Sequence, residues 1–378
     1  EYADLLKTKG ALERAYDICM EARSIIRTDL GTHSWAYMQV SNILGLTAME
    51  LNLYEEAKGI YLELIELAKL RTVPVPMYHV NIGVVYMWMK DIPSAEFHIT
   101  KAHTLAKDHW APNSLDFIML KQNFARLRMH QNKFQEAIDL TYEVLNLQQS
   151  QLGEEHFHVT YSYASLASLY GQIENWSTSY EYQCKTYQTG CTSLSKGNHI
   201  VSDALQEIAW YHVDQDELDQ AENWLIDGCD TILNEQEPLN SSNLYTIFLL
   251  GRVQLTLQKN QNSLQTFRRL LILEEKFYGK ENANLASTHN YLAKVHTALN
   301  DFDSALLHRQ QAFDLLFDYH GLSHTKTIEM GLDVLLDHRR LNQDDSANAL
   351  LIRLQKAYQA LEEPDTELGE RLLQLSQR

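Results

Sequence analysis

Small residues that open amphipathic segments recur along the whole chain at an almost constant spacing. Successive positions are 42 residues apart, except for one interval of 38 residues. These positions, which we call the markers, are Ala15, Ala57, Ala95, Ala137, Ser179, Ala221, Ser263, Ala305 and Ala347. Because six equal intervals follow one another, the spacing is a true sequence period, and a period of this length is typical of repeat proteins.

A second small residue lies twelve residues before most of the markers, and an apolar residue always precedes it. These second small residues are Gly45, Gly83, Ala125, Ala167, Ala209, Gly251 and Ala293. A large apolar residue often follows four residues after the marker, as at Tyr61 and Phe267. The pattern predicts two helices per repeat, whose small residues let the backbones approach while the large residues fill the gap between them.

The connections between repeats carry helix-ending residues at two fixed positions. Sixteen residues past the marker, where a helix end with positive φ favours glycine, lie Gly31, Gly153, Gly279 and Gly321. One residue further along, where proline stops the preceding helix, lie Pro74, Pro112, Pro238 and Pro364. Two independent signals therefore agree on where the second helix of a repeat ends.

These patterns predict an all-α solenoid of about nine antiparallel helix pairs that forms one continuous array over residues 1–378. One helix pair cannot bury both of its apolar stripes alone, so we expect stacked neighbours to share a core without a domain boundary. A terminal helix is expected at 366–378. The first helix would begin in the middle of its repeat, near Ala3. We therefore expect the chain to be the recognition or regulatory segment of a larger protein.

Composition and charge narrow the classes of partner. The chain has only 15 Gly and 6 Pro, fewer than turn-rich β proteins need. The formal net charge of -18 argues against nucleic acid and anionic membranes as partners. We interpret this acidity as a solvated surface, with a basic partner as the alternative. Four cysteines and no membrane-length apolar run favour a reducing, cytoplasmic location.

The repeats resemble tetratricopeptide repeats, in particular the 42-residue variety found in kinesin light chain. The Gly-x-x-His connectors that begin at Gly153 and Gly321 are similar to the signature of that variety, as is the run from Ser287 to Ala305. The resemblance covers essentially the whole chain. It implies a right-handed superhelix in which the first helix of each repeat lines a concave groove for a protein or peptide partner. The chain departs from the family's pattern at two kinds of position, with serine at the markers Ser179 and Ser263, and with His212, Gln254, His296 and His338 where an aromatic residue is usual.

The resemblance assigns the groove to three positions of the first helix, counted back from the marker. Fourteen or fifteen residues before it lie Asn42, Asn81, Gln122, Asn123, Gln206 and Asn290. Eleven residues before it lie Arg126, Trp210, Arg252 and Lys294, and seven before it lie Trp88 and His130. Asparagine amides can pair with a peptide backbone in both directions, cations favour acidic side chains, and tryptophans can anchor a partner. The alternative is that these asparagines bond neighbouring helices or water within the array.

Sequence signals for catalysis are missing. There is no phosphate-binding loop, dinucleotide fingerprint or nucleophile elbow. The pairs His156/His158 and His320/His324 lack nearby cysteines or clustered carboxylates, so we expect no metal site and no cofactor. The leading hypothesis is therefore a non-enzymatic protein- or peptide-binding scaffold, whose oligomeric state stays open.

Two alternatives to this hypothesis stay open. One is the sensor module of a bacterial signalling protein with a cyclase, kinase or transcription-regulator output domain. The other is a peptide-responsive Rap-like regulator, which ranks lower because that class carries an N-terminal helical bundle outside its repeats. In this chain the repeats run from the first residues.

Overall fold

The computed structural model describes residues 12–73, 75–234, 239–361 and 366–376, and eighteen α-helices account for most of them. No strand occurs within these residues. The predicted all-α fold is therefore confirmed. Predictions that involve Ala3, Pro74, Pro238, Pro364 and residues 377–378 lie outside the described residues.

The helices follow one another with short connections. In chain order they are α1 (Leu12–Leu30), α2 (Trp35–Glu50), α3 (Tyr54–Leu70), α4 (Pro76–Trp88), α5 (Ile92–His109), α6 (Leu115–His130), α7 (Phe134–Leu152), α8 (Phe157–Gln172), α9 (Trp176–Ser193), α10 (His199–Asp214), α11 (Leu218–Leu233), α12 (Ser241–Thr256), α13 (Asn260–Tyr278), α14 (Leu285–Ala298), α15 (Phe302–His320), α16 (Thr325–Arg340), α17 (Asp344–Gln359) and α18 (Thr366–Ser376). The even-numbered helices from α2 to α16 are the first helices of the repeats. The odd-numbered helices are the second helices and contain the markers.

Contacts between residues divide the chain into two compact units, Glu1–Tyr182 and Gln183–Arg378, and the boundary falls within α9. Helices α1 to α8 belong to the first unit and helices α10 to α18 to the second. Within each unit, consecutive helices pack against each other. In the described ranges, no helix combines the length and apolarity that a membrane crossing requires.

The second helices follow the sequence period closely. From α3 onward, each of them begins three residues before its marker, from Tyr54 before Ala57 to Asp344 before Ala347. The alanine markers are fully buried. At the serine markers, the Ser179 and Ser263 hydroxyls each donate a hydrogen bond of 2.8 Å to the backbone oxygen of the small residue twelve positions earlier. Serine therefore preserves the close helix approach that alanine provides elsewhere.

The turn inside each repeat shows a regularity that the sequence analysis overlooked. Five residues before the marker, the backbone is left-handed in eight successive repeats, at Asn52, Lys90, Asn132, Glu174, Asp216, Gln258, Asn300 and Asn342. Five of these eight residues are Asn or Asp, the types other than glycine that adopt this conformation most readily, so the position carries a sequence signal that was not used. The glycines between repeats also have positive φ, from 78° at Gly31 to 88° at Gly279, as predicted.

Three of the four residues that stand where the resemblance implies an aromatic side chain bond a side chain five residues further along. The Nδ1 atoms of His212 and His296 lie 2.7 and 2.9 Å from the carboxylates of Glu217 and Asp301, five residues further along. The Nδ1 atom of His338 lies 2.7 Å from the side-chain oxygen of Gln343. These side chains therefore link the end of a first helix to the start of the second helix, where the backbone turns.

Candidate functional site

Most of the predicted groove residues lie on the solvent side of the first helices. Trp88 has 54% of its surface exposed and its ring stacks on Tyr54. Arg126, His130 and Lys294 are also exposed, and those that are partly buried are Asn42, Gln122, Gln206, Trp210, Arg252 and Asn290. Asn81 and Asn123 are buried. The position in the repeat therefore predicts on which face of the helix a residue lies. It does not predict how far the residue is buried, which differs among the predicted groove residues.

Asn81 is engaged between helices of the first unit. Its Nδ2 donates to Oδ1 of Asn42 at 3.2 Å and to the hydroxyl of Tyr61 at 3.3 Å. These bonds join α4 to α2 and α3. Asn81 therefore bonds neighbouring helices within the array, which was the alternative to a role in the groove. An amide already bonded to its neighbours has less capacity to bind a partner.

Gln206 has a similar role in the second unit. Its Nε2 donates to the backbone oxygen and hydroxyl of Ser242 at 2.9 and 3.0 Å, and to the hydroxyl of Thr246 at 3.0 Å. The amide therefore joins the first helices of two consecutive repeats, α10 and α12. This use of the side chain stabilises the spacing of those helices.

Three predicted residues meet around a cavity between α6 and α8 in the first unit. The cavity has a volume of about 670 Å³. On the α6 side it is lined by Gln122, Asn123 and Arg126. The rest of the wall combines apolar and hydroxyl side chains, Met119, Met129, Phe157, Tyr161, Ser162, Ser165, Ser168 and Leu169 among them. The cavity is therefore mostly apolar, with a few polar groups placed to orient a ligand.

Arg126 is the cation of this cavity. It forms no ion pair with any described residue. Its side chain is exposed, yet desolvation by the surrounding protein lowers the pKa of its guanidinium group below the usual value. Burial, and secondly the charge of Arg126, lower the pKa of His130. A ligand anion in this cavity would meet an unpaired positive charge in partly desolvated surroundings, where electrostatic attraction is stronger than in bulk water.

The amides beside Arg126 retain hydrogen-bonding capacity. Asn123 donates from Nδ2 to the backbone oxygen of Met119 at 2.9 Å. Within the described residues, nothing donates to its Oδ1, and the Gln122 amide has no hydrogen-bond partner. Both side chains line the cavity. They can therefore pair with a bound group that carries its own donors and acceptors, as a peptide backbone does.

A row of alternating rings and cations crosses three first helices of the second unit. The guanidinium carbon of Arg252 lies 5.3 Å from the ring centre of Trp210 on α10 and 5.7 Å from that of Tyr291 on α14. The Nζ atom of Lys294 lies 4.4 Å from the ring centre of Tyr291. We call these four residues the cation–aromatic row. Since successive members contact each other, the row is one continuous surface.

The second unit has its own cavity between α14 and α16, with a volume of about 650 Å³. Of the predicted residues, Asn290 lines it, and its Oδ1 is a buried atom without a hydrogen-bond partner. The opposite wall carries Glu329 and Asp333. Sequence reasoning missed these carboxylates, as it missed Tyr161 and Tyr291. For Glu329 and Tyr161 the available signal was the position eighteen residues before the marker, one turn before the positions that were considered. Asp333 and Tyr291 lie fourteen residues before their markers, a position at which only amide side chains were considered.

The two histidine pairs make contacts of other kinds. Within the ranges described, no group of three or more histidine, cysteine or acidic side chains has the geometry to hold a metal ion. His320 and His324 stack with ring centres 3.9 Å apart, and the Nδ1 atom of His156 accepts from the backbone N–H of His158 at the start of α8. His156 is therefore a helix cap, which explains the histidine of that connector.

Comparisons with known proteins agree with the repeat architecture. The tetratricopeptide repeat family matches residues 242–316 of this chain. The structure is similar to the apo form of RapI, with 13% identity, a TM-score of 0.58, and coverage of 94% of this chain and 95% of RapI. It is also similar to the C-terminal part of a TPR repeat-containing protein from Cytophaga hutchinsonii, with 12% identity, a TM-score of 0.51, and coverage of 78% and 98%. No curated protein matches the sequence. Identities this low show a shared fold.

Proposed function

We propose that this chain, which is a tetratricopeptide repeat protein, binds a polypeptide segment in the cavity between α6 and α8, and that its role is binding rather than catalysis. The observation that supports this is the meeting of Gln122, Asn123 and Arg126 around one cavity. Two of these side chains have unused hydrogen-bonding capacity, and the third is a cation without an ion pair among the described residues.

The cavity wall defines the chemistry of the bound segment. Arg126 favours a carboxylate or another anion, because its charge is unpaired and partly desolvated. Met119, Phe157 and Tyr161 supply apolar and aromatic surface in the same cavity. The segment that fits best therefore carries an acidic side chain close to an apolar one. The backbone of such a segment would bond Gln122 and Asn123 irrespective of its side chains.

A selection from a random peptide library tests this proposal without a known partner. Peptides of about twelve residues would be displayed on phage and selected against the wild-type chain and against Arg126→Gln. We expect the wild type to enrich peptides in which an acidic residue lies near an apolar one. We expect the variant to lose the acidic preference. If both proteins select the same peptides, or none, the proposed site is wrong.

Direct measurements of peptide affinity test the role of Arg126 quantitatively. A charge-assisted hydrogen bond contributes about 1.5–3 kcal/mol, so Arg126→Gln should weaken the binding of an enriched, fluorescein-labelled peptide roughly tenfold to a hundredfold. The matched control is Lys107→Gln, which removes one exposed positive charge from α5, away from the cavity. Fluorescence anisotropy should show little change for this control. An equal loss in both variants would mean that only net charge matters.

A further inference from the structure

Two first helices of the second unit carry matching pairs of carboxylates. Asp203 and Glu207 lie on α10, and Glu329 and Asp333 lie on α16. The pairs are 126 residues apart, which is three periods of 42, so they occupy the same positions of their repeats. Residues four apart share one face of a helix. Asp203, Glu207 and Glu329 are exposed, and Asp333 is partly buried.

Two cations lie on the helices between these pairs. Arg252 on α12 and Lys294 on α14 are 42 residues apart, at the same position of their repeats. The cation–aromatic row connects them physically, because Arg252 contacts rings from α10 and α14. Asp333 on α16 acts electrostatically on Lys294. Four successive first helices therefore present one surface with the charge order acidic, basic, basic, acidic.

The charges of this surface are only partly balanced by the chain itself. Burial, and secondly the charge of Asp203, raise the pKa of Glu207 above its usual value. Burial lowers the pKa of Lys294, and although Asp333 raises it, Arg309 and Arg252 lower it further. Neither Glu207 nor Arg252 forms an ion pair with a described residue. Like charges that repel each other across a surface favour a ligand of opposite charge.

Some neighbouring groups compete for these charges. Asp333 lies 3.4 Å from a guanidinium nitrogen of Arg309 and 3.8 Å from one of Arg371. Asp203 accepts a hydrogen bond from the Ser242 hydroxyl. Lys326 lines the same cavity as Glu329, but among the described residues the two form no ion pair. Glu207 and Glu329 are therefore the carboxylates most available to a partner.

We propose that this face of the second unit binds an extended polypeptide segment whose charges alternate in the complementary order basic, acidic, acidic, basic. The first helices α10, α12 and α14 contact one another in turn. Packed helices lie about 8–10 Å apart and an extended chain advances about 3.3 Å per residue, so the basic residue over α10 and the acidic residues over α12 and α14 would be spaced by roughly three residues. The basic residue over α16 enters the cavity between α14 and α16, where Glu329 and Asp333 form one wall. The acidic residues lie over Arg252 and Lys294. This inference rests on the proposed function, since it adds the charge pattern of a polypeptide partner.

Synthetic peptides of identical composition test the order of charges. Each would contain two lysines and two aspartates, three residues apart in a background of alanine, serine and threonine, with a fluorescein label. One has the order basic, acidic, acidic, basic and the other has the inverse order, so net charge is the same. A single exposed ion pair contributes little to affinity, but the first peptide makes four attractions where the second makes four repulsions. Fluorescence anisotropy should therefore show that the first peptide binds at least roughly tenfold more tightly than the second. We also expect added salt to reduce the difference.

Variants locate the effect. Glu207→Gln combined with Glu329→Gln should abolish the preference between the two peptides. The matched control, Asp344→Asn combined with Asp345→Asn, removes two exposed carboxylates from the start of α17, a second helix, and should retain the preference. Equal binding of the two peptides by the wild type, or a preference that survives in the first variant, overturns the proposal. Arg126→Gln should leave the preference unchanged, so failure of this inference is separable from failure of the site in the first unit.

Discussion

Gly251 and Phe267 form a size-matched pair at the contact between α12 and α13. A Cβ atom placed on Gly251 would lie 2.7 Å from Cζ of Phe267 and 2.8 Å from its Cε2. Phe267 is fully buried, and its ring contacts those of Phe248 and Tyr291 at centre distances of 5.7 and 5.4 Å. The ring therefore has little space into which it can retreat. One repeat earlier, the equivalent pair is Ala209 and Leu225. Alanine is larger than Gly251 and leucine is smaller than Phe267, so the sizes compensate.

The magnitudes follow from this geometry. In Gly251→Ala, higher helix propensity should raise the free energy of unfolding by up to about 1 kcal/mol, whereas overpacking should lower it by about 1–3 kcal/mol. Phe267→Leu removes about three buried carbons and should cost roughly 2 kcal/mol. The double variant reproduces the Ala209/Leu225 pair, so the overpacking cost should disappear. We expect a coupling free energy of about 1–3 kcal/mol, with the double variant more stable than the sum of the single changes predicts.

Urea unfolding followed by far-UV circular dichroism measures these differences in the free energy of unfolding. Gly59→Ala is the control, because Gly59 lies within α3 and a Cβ atom there would meet nothing within 4 Å. This change should stabilise the protein by up to about 1 kcal/mol. Additive effects of Gly251→Ala and Phe267→Leu, within about 0.5 kcal/mol, would refute the size-matching argument.

Two further predictions concern single side chains. Burial raises the pKa of Glu274 from 4.5 in the unfolded chain to about 7. The free energy of unfolding should therefore fall by roughly 3 kcal/mol as the pH rises from about 4.5 through about 7. Glu274→Gln should remove this pH dependence from urea unfolding, and an unchanged pH profile would contradict the assignment. Glu174 has φ of 59° in a repeat turn. Because glycine adopts positive φ without steric cost, Glu174→Gly should raise the free energy of unfolding by about 1 kcal/mol. A loss of stability would show that the turn is unstrained.

The sequence predicted the repeat because the same packing problem recurs in each unit. A small residue where two helices cross leaves a trace at every marker, and the second helices begin at the positions that the markers predict. The left-handed turn residues left a weaker trace, since five of the eight are Asn or Asp but Lys90, Glu174 and Gln258 share the conformation without that side-chain chemistry. That conformation is imposed by the helices on either side.

The candidate binding surfaces were only partly predictable. The sequence placed Asn81, Gln122 and Arg126 in one class because they occupy similar repeat positions. The structure shows that Asn81 bonds neighbouring helices whereas Arg126 has no ion pair among the described residues. A position in a repeat determines the direction of a side chain. The partners it meets depend on residues some 20 to 40 positions away, such as Tyr61 and Asn42 for Asn81.

The sequence by itself determined the all-α repeat and the glycine-marked ends of second helices, because these depend on local periodicity and on residue type at fixed positions. The groove-facing positions of the first helices came from the resemblance to tetratricopeptide repeats. Only the tertiary structure decided which polar groups are satisfied and which remain available. It also brought Trp210, Arg252 and Tyr291 from three helices into one row. Hydrogen bonding and desolvation depend on the distances between atoms that are remote in sequence, and packing alone sets those distances.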